Sequence, residues 1–440
     1  MTVPAGPPVP RPPVPRVVSW NITKRCNLKC EHCYIDAKFG GSAPAGELST
    51  DECLRVLGEL AELNSSALLI ITGGEPFLRK DLFRITTRAS EIGFMVVIGT
   101  NGTVISDRLA DQIPDAGIQG LSLSLHALTS EPHDRFVGVQ GAWDNTVRGA
   151  GVLREHDIPF IIQTSVTPWN EAEIPQIVDK AKALGARVFN LYFLVGTGRG
   201  AGQTPLSPDA YEALLETLYL SQKQHEGEMI VNAKCAPHFK RVIWQHDPGS
   251  ANLRAYGTGC PAGVHYLQIT PDGKVTPCPY MGHFVGDLRT QTFTEIWEGS
   301  GLLQSLRKAD LGGRCGECEF KSFCGGCRCR AYAETGDALA EDPACGYEPG
   351  TLSAEPVVLE QEMTFGIPEV FRVRWTPEAR QRLQSVPSFA RGMVIRRVEK
   401  YAEESEIREI TPELMAKLRD RFLRERGGKV PFAFWKRGKT

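Results

Sequence analysis

The sequence has no apolar run long enough to cross a bilayer, which excludes a helical membrane protein. It has no apolar stretch near its start either. Residues 1–16 hold seven prolines instead, which reads as a disordered, proline-rich lead-in and not as a signal peptide. Strong charge of one sign is also missing. A net charge of −2 over 440 residues gives the whole chain no pull toward nucleic acid or an anionic membrane. A phosphate-cradling loop is missing as well. The stretch Gly196-Thr197-Gly198-Arg199-Gly200-Ala201-Gly202 lacks the Lys-Ser/Thr ending that such a loop needs. It reads as a mobile connection, with Arg199 a candidate partner for a substrate carboxylate through its planar fork. Without an export signal, thirteen cysteines argue for metal sites in a reducing cytoplasm, not for a disulfide framework.

The chain does have a regular alternation of short apolar runs and amphipathic stretches. Residues 17–23, 67–72, 94–99, 120–125, 160–166 and 188–193 read as strands, with helical patterns between them such as 49–63, 80–92, 143–155 and 174–184. Ser49-Thr50-Asp51-Glu52 carries the capping residues of a helix start. Cys53, inside that pattern, is a small buried hydrophobe. Six such units over residues 17–200 predict an α/β fold with a parallel sheet covered by helices. Active residues then belong at the carboxyl ends of the strands. That rule selects Asn101 after the third strand, and Ser122 and Ser124 on one face of the fourth, with His126 on the same parity. It also selects Gln163 on the fifth strand and Val195 after the sixth. Serines that merely fill a tight interior are the other reading, and His126 is either an acid–base group or a satisfied polar residue.

Cysteines carry the chemistry. Cys26-Asn27-Leu28-Lys29-Cys30-Glu31-His32-Cys33 follows the first strand, and Tyr34 follows the motif. Three soft thiolates at CxxxCxxC spacing suit three irons of a 4Fe–4S cube and leave one iron open. A structural zinc loop completed by His32 or a distant residue is the alternative. After the second strand comes Gly73-Gly74-Glu75-Pro76. The two motifs together resemble the radical S-adenosylmethionine (SAM) enzymes. The resemblance implies a partial (β/α)6 barrel in which Cys26, Cys30 and Cys33 carry the catalytic cluster and the open iron is chelated by SAM. It implies SAM contacts from Tyr34, Gly73, Gly74, Glu75, Pro76, Asn101, Ser122, Ser124, Gln163 and Val195. One electron passed to SAM would yield a 5′-deoxyadenosyl radical, supplied through a small donor such as flavodoxin or ferredoxin. In this family the segment His133-Asp134-Arg135-Phe136 folds over substrate, although Asp134 and Arg135 also read as an ordinary surface pair.

Residues 201–350 hold a connector and a second set of thiols: Cys260, Cys278, Cys315, Cys318, Cys324, Cys327, Cys329 and Cys345. Pro271-Asp272-Gly273-Lys274 between two β-runs is a hairpin signal. Zinc ribbons are one reading of these thiols. The block Cys315–Cys324 with Cys-Gly-Gly-Cys and a late single cysteine resembles the SPASM extension of radical SAM enzymes, which carries auxiliary 4Fe–4S clusters. The resemblance assigns Cys315, Cys318, Cys324 and Cys345 to one cluster, and Cys260, Cys278 and Cys327 to another. The fourth ligand of the latter is Cys235, Cys329 or an open iron, and Cys329 is an alternative to Cys327.

Val18-Ser19-Trp20-Asn21-Ile22-Thr23, Cys278-Pro279-Tyr280-Met281 and Glu341-Asp342-Pro343-Ala344-Cys345 resemble a tetrapyrrole-modifying branch, active in haem d1 and haem formation. Residues 351–370 read as a linker. Residues 371–440 then form a basic helical module with 18 Lys/Arg against 9 Asp/Glu, which leaves −11 on the rest. Trp375-Thr376-Pro377-Glu378-Ala379 is a capped helix start. With Glu399-Lys400-Tyr401-Ala402 it resembles the small C-terminal domain of a protochlorophyllide reductase subunit. A tetrapyrrole is therefore the expected substrate. A peptide is the alternative, and a zinc-bound interaction protein is the rival of another class. Nucleic acid ranks last, since no aromatic-interleaved motif accompanies the basic residues.

Overall fold

The computed structural model describes residues 13–41, 45–254, 259–359, 367, 369–384, 386 and 388–425. Ten strands form the main sheet: β1 (Val17–Asn21), β2 (Leu68–Thr72), β3 (Met95–Thr100), β4 (Ile118–Ser124), β5 (Phe160–Val166), β6 (Val188–Phe193), β7 (Ile230–Lys234), β8 (Tyr266–Ile269), β9 (Lys274–Thr276) and β10 (Gly286–Asp287). Their order is β10-β9-β8-β1-β2-β3-β4-β5-β6-β7. From β8 through β1 to β7 every neighbour pair is parallel, and only the pairs β8–β9 and β9–β10 are antiparallel. This is the expected partial barrel with two additions. An edge strand, β7, extends it beyond six units. The Asp272-Gly273 hairpin joins the same sheet as β8 and β9, so the barrel and the cysteine-rich region share one backbone ladder.

Period-two alternation sorts the strands into two faces. In β2, Leu69 and Ile71 are wholly buried, while Leu68, Ile70 and Thr72 are half-buried. In β5, Phe160, Ile162, Thr164 and Val166 lie under helices, and Ile161, Gln163 and Ser165 face inward. The apolar parity builds the core with helices such as Thr50–Asn64. Ser49 caps that helix through Glu52 N, and the helix buries Cys53, Val56, Leu57 and Leu60. The other parity carries serine, asparagine and glutamine, which line a site.

Helices Pro377–Gln384, Ser388–Glu404 and Pro412–Glu425 pack with the strand pair Arg374–Trp375 and Glu409–Ile410 around Trp375, Leu383, Ile395 and Val398. Val386, between the first two of these helices, and Met393 of the second meet Leu68, Met95 and Val97, inward residues at the amino-terminal ends of β2 and β3. The module thus covers the floor of the barrel. Of the expected linker, residues 360–366 and 368 lie outside the described residues. Nearby, Val357 N donates to Glu319 O at 2.8 Å. Of the proline-rich lead-in, residues 1–12 lie outside as well, while Pro13 O accepts from Trp297 Nε1 at 2.7 Å.

Candidate active site

The loop after β1 closes on itself. Arg25–Cys26 pairs with Lys38–Phe39, and Gly40 N donates to Cys26 O at 2.9 Å. Three neighbours brace it. The end of helix Ser130–Val137 accepts from Lys29 N through Val137 O (2.9 Å) and from Glu31 N through Phe136 O (3.0 Å). Asp134 in that helix takes N–H groups from Gly141 (2.6 Å) and Trp143 (2.8 Å), in place of the expected pair with Arg135. The second brace is Gly73-Gly74-Glu75, whose Gly74 N and Glu75 N donate to Thr23 O (2.7 Å) and Arg25 O (2.8 Å). A Cβ on Gly74 would lie 2.2 Å from Arg25 O, and one on Gly73 2.4 Å from Thr23 O. The cluster loop's own backbone therefore demands both glycines.

The third brace corrects an expectation. The glycine-rich stretch is not a loose connection but a 3-10 turn, Gly198–Gly202, laid on the loop. Arg199 N donates to Cys33 O at 3.0 Å, its Nε to Cys30 O at 2.9 Å, and its Nη1 to Ala37 O at 3.1 Å and Asp36 Oδ1 at 2.9 Å. The guanidinium expected to meet a substrate carboxylate is committed to the loop.

Cys26, Cys30 and Cys33 face a cavity of about 460 Å³. Leu28 N and Ala37 N each donate to sulfur at 3.4 Å, on Cys26 and Cys33. Burial pushes the Cys26 thiol up to about 11 and Cys30 up to about 12, and the neighbouring thiols add to it. Thiols raised in this way carry charge here only with a cationic partner, which an iron cluster supplies. Tyr34, Gly73, Gly74, Asn101, Ser124, Gln163 and Val195 line the same cavity.

Ser122, Glu75 and Pro76 are not on its wall. The Ser122 hydroxyl is buried without a partner among the described residues. Glu75 is turned to Thr100 Oγ1 and Asn101 N, both at 2.9 Å. Pro76 is buried at the start of a 3-10 turn. The Asn101 amide is used by Asn27 (2.8 Å) and Thr103 N (2.9 Å). Tyr34 OH donates to Asn21 Oδ1 at 2.8 Å, and its ring packs 5.2 Å from that of Tyr280.

His126 Nδ1 accepts from Ser165 N, and His133 Nδ1 from His126 N, both at 3.1 Å. Desolvation and the cationic forms of neighbouring His32 and His133 hold His126 well below the ordinary histidine range. It is a neutral imidazole with Nε2–H left to donate.

Two further groups of thiols lie beyond the barrel loop. Cys315, Cys318, Cys324 and Cys345 line a small pocket of their own. Asp342 N and Arg328 Nη2 donate to Cys315 Sγ at 3.4 and 3.6 Å, and Phe320 N donates to Cys318 Sγ at 3.5 Å. Four thiols with N–H groups aimed at sulfur fit an iron–sulfur cluster. Cys235, Cys260, Cys278, Cys327 and Cys329 all line the main cavity. Both residues read as alternative fourth ligands are present there, with Cys235 at a left-handed φ of 57°. Lys234 and Lys240 share that cavity and went unnoticed in the sequence.

Residues 20–181 match the family model of the radical SAM superfamily, residues 260–319 an iron–sulfur cluster-binding domain (SPASM), and residues 375–419 the proto-chlorophyllide reductase 57 kD subunit. The AdoMet-dependent heme synthase of Methanosarcina barkeri is 40% identical over 345 residues, 76% of this chain and 97% of that protein. The pre-heme d1 synthase of Dinoroseobacter shibae is 32% identical, over 75% of this chain and 85% of that protein. Streptococcus suis SuiB bound to S-adenosylmethionine shares the fold, with a TM-score of 0.61 and 19% identity over 76% of this chain and 78% of that one. No helix of the described residues is long and apolar enough to cross a membrane. Three thiols on a braced loop, a glycine edge against it and further thiols under a shared sheet thus belong to an enzyme that uses SAM and 4Fe–4S clusters. The chain is a radical SAM iron–sulfur enzyme of the SPASM-containing family that includes the AdoMet-dependent heme synthases.

Proposed function

We propose that this enzyme modifies a tetrapyrrole, decarboxylating or removing a propionate side chain in haem or haem d1 formation. The observation that carries this reading is the 40% identity to an AdoMet-dependent heme synthase across 97% of that protein. When bound, SAM on a 4Fe–4S cluster supplies a 5′-deoxyadenosyl radical that takes a hydrogen atom from substrate. Cys26, Cys30 and Cys33 would hold that cluster. Tyr34, Gly73, Gly74, Asn101, Ser124, Gln163 and Val195 would form the wall against SAM. The braced loop fixes orientation, and the covered floor keeps water out. Two auxiliary clusters fit the thiols, one on Cys315, Cys318, Cys324 and Cys345, and one drawn from the five that line the main cavity. A flavodoxin or ferredoxin would supply electrons. Thirteen cysteines, none of them in a disulfide, suit the cytoplasm.

The test is anaerobic: reconstitute, reduce, add SAM, and measure 5′-deoxyadenosine with and without a propionate-bearing iron porphyrin. A strong rise with matching loss of mass from the porphyrin, abolished in Cys26→Ala, is expected. SAM cleavage that no tetrapyrrole stimulates would overturn the reading.

A further inference from the structure

The wall of the main cavity carries cationic side chains and no carboxylate. Arg199, Lys234 and Lys240 line it, and among the described residues no aspartate or glutamate does. Arg199 is spent on the cluster loop, so Lys234 is the cation left to face an incoming molecule, with Lys240 on the same wall. Lys234 ends the edge strand β7, opposite Tyr192 of β6. Lys240 lies on the next helix, His238–His246. Gln222, Asn232 and Asn252 line the same lobe. Gln222 is fixed there by its bonds to Val231 O (2.8 Å) and Asn252 Nδ2 (3.1 Å). The lobe is therefore walled by ammonium and amide groups on rigid elements.

The Lys234 ammonium makes no hydrogen bond or carboxylate ion pair among the described residues; desolvation lowers its affinity for its proton, and the neighbouring Cys235 thiolate acts the other way. An ammonium held in low dielectric with no carboxylate to bond is costly, and a carboxylate brought beside it offsets part of that cost. Which carboxylate it meets follows from the chemistry. A carboxylate that departs as carbon dioxide must lose its charge on the way, and an ion pair stabilises the state it has to leave. Lysines in the site therefore suit carboxylates that the reaction keeps.

We propose that Lys234, with Lys240 on the same cavity wall, anchors retained propionates of the substrate and so fixes which edge of the macrocycle faces the cluster loop. This rests on the tetrapyrrole reading above.

The test is an anaerobic absorbance titration of the cluster-loaded enzyme with Fe-coproporphyrin III, which bears propionates, and with its tetramethyl ester. Wild type is expected to bind the acid about tenfold or more tightly than the ester, with affinity for the acid falling as salt is raised. Lys234→Met should weaken the acid about tenfold and leave the ester unchanged, and Lys234→Arg should restore the preference. Iron content checks that each variant has folded. Should Lys234→Met fail to fold, the wild-type acid-to-ester ratio and its salt dependence still decide the proposal. Equal binding of acid and ester by wild type, or an undiminished preference in Lys234→Met, overturns the anchoring role and leaves the tetrapyrrole reading standing. Binding of neither compound overturns both.

Discussion

Glu75 carries a carboxylate with no exposure at all. Thr100 Oγ1 and Asn101 N donate to it at 2.9 Å and Phe77 N at 3.2 Å. Burial outweighs these donors and raises its pKa from an ordinary 4.5 to about 7. In the sequence it belongs to a cofactor motif. In the fold its side chain ties the Gly73-Gly74 edge to the end of β3. Because its folded pKa lies above the unfolded one, the fold favours the protonated form. That contribution is fully present below 4.5 and is lost as the pH rises through about 7. Glu75→Gln cannot titrate. The stability of wild type relative to the variant is therefore expected to fall by about 3 kcal/mol between acid and neutral pH. Paired anaerobic melting curves would measure it, and a difference that stays flat across this range would refute the assignment.

Among the elements, the turn Gly198–Gly202 matters most to the cluster loop. A Cβ on Gly198, whose φ is +56°, would lie 2.5 Å from the carbonyl oxygens of both Cys33 and Tyr34, so an alanine there pushes the turn off the loop. Arg199→Gln removes donors from Cys30 O and Ala37 O at a cost of about 1–3 kcal/mol. Both variants are expected to release iron to a chelator several-fold faster than wild type. Release at the wild-type rate would mean that the turn is not a brace. This contact was not legible in the sequence, because it joins a glycine-rich stretch to carbonyls more than 160 positions earlier. Elements with local periodicity were legible: β5 (Phe160–Val166) and helix Ile174–Leu184 have the bounds that alternation and 3.6-residue spacing predict. The three-thiol loop was legible too, since its ligands are neighbours in sequence. For the second group the sequence offered Cys235 and Cys329 as alternatives beside Cys327 and could not choose between them, since residues far apart in the chain meet only in the fold, which brings both to the cavity. Strand β7 was not legible either: its run Ile230-Val231-Asn232-Ala233-Lys234 is too short and polar to stand out and ends on the lysine that faces the cavity.

For the whole molecule, the chemistry at the carboxyl ends of the strands depends on what closes the other end. The sheet leaves β7 and β10 as edges, and the inward residues Leu68, Met95 and Val97 would expose an apolar floor without a cover. Val386 and Met393 of the helical module supply it. The module also has a core of its own, in which Glu399 accepts from Arg372 N and Trp375 Nε1, both at 2.9 Å. It can thus remain folded when the joint is broken. Met393→Asp sets a carboxylate against three apolar side chains with no donor of theirs to meet it, a cost of about 2–4 kcal/mol. Met393→Leu conserves volume and is expected to cost less than about 1.5 kcal/mol. The expected result is that wild type and Met393→Leu melt in one anaerobic calorimetric transition. Met393→Asp should split it, with the barrel melting first and the module later. A single transition at the wild-type temperature in Met393→Asp would mean that the two units do not stabilise each other through this floor, and the seal would have to be sought in other contacts of the module.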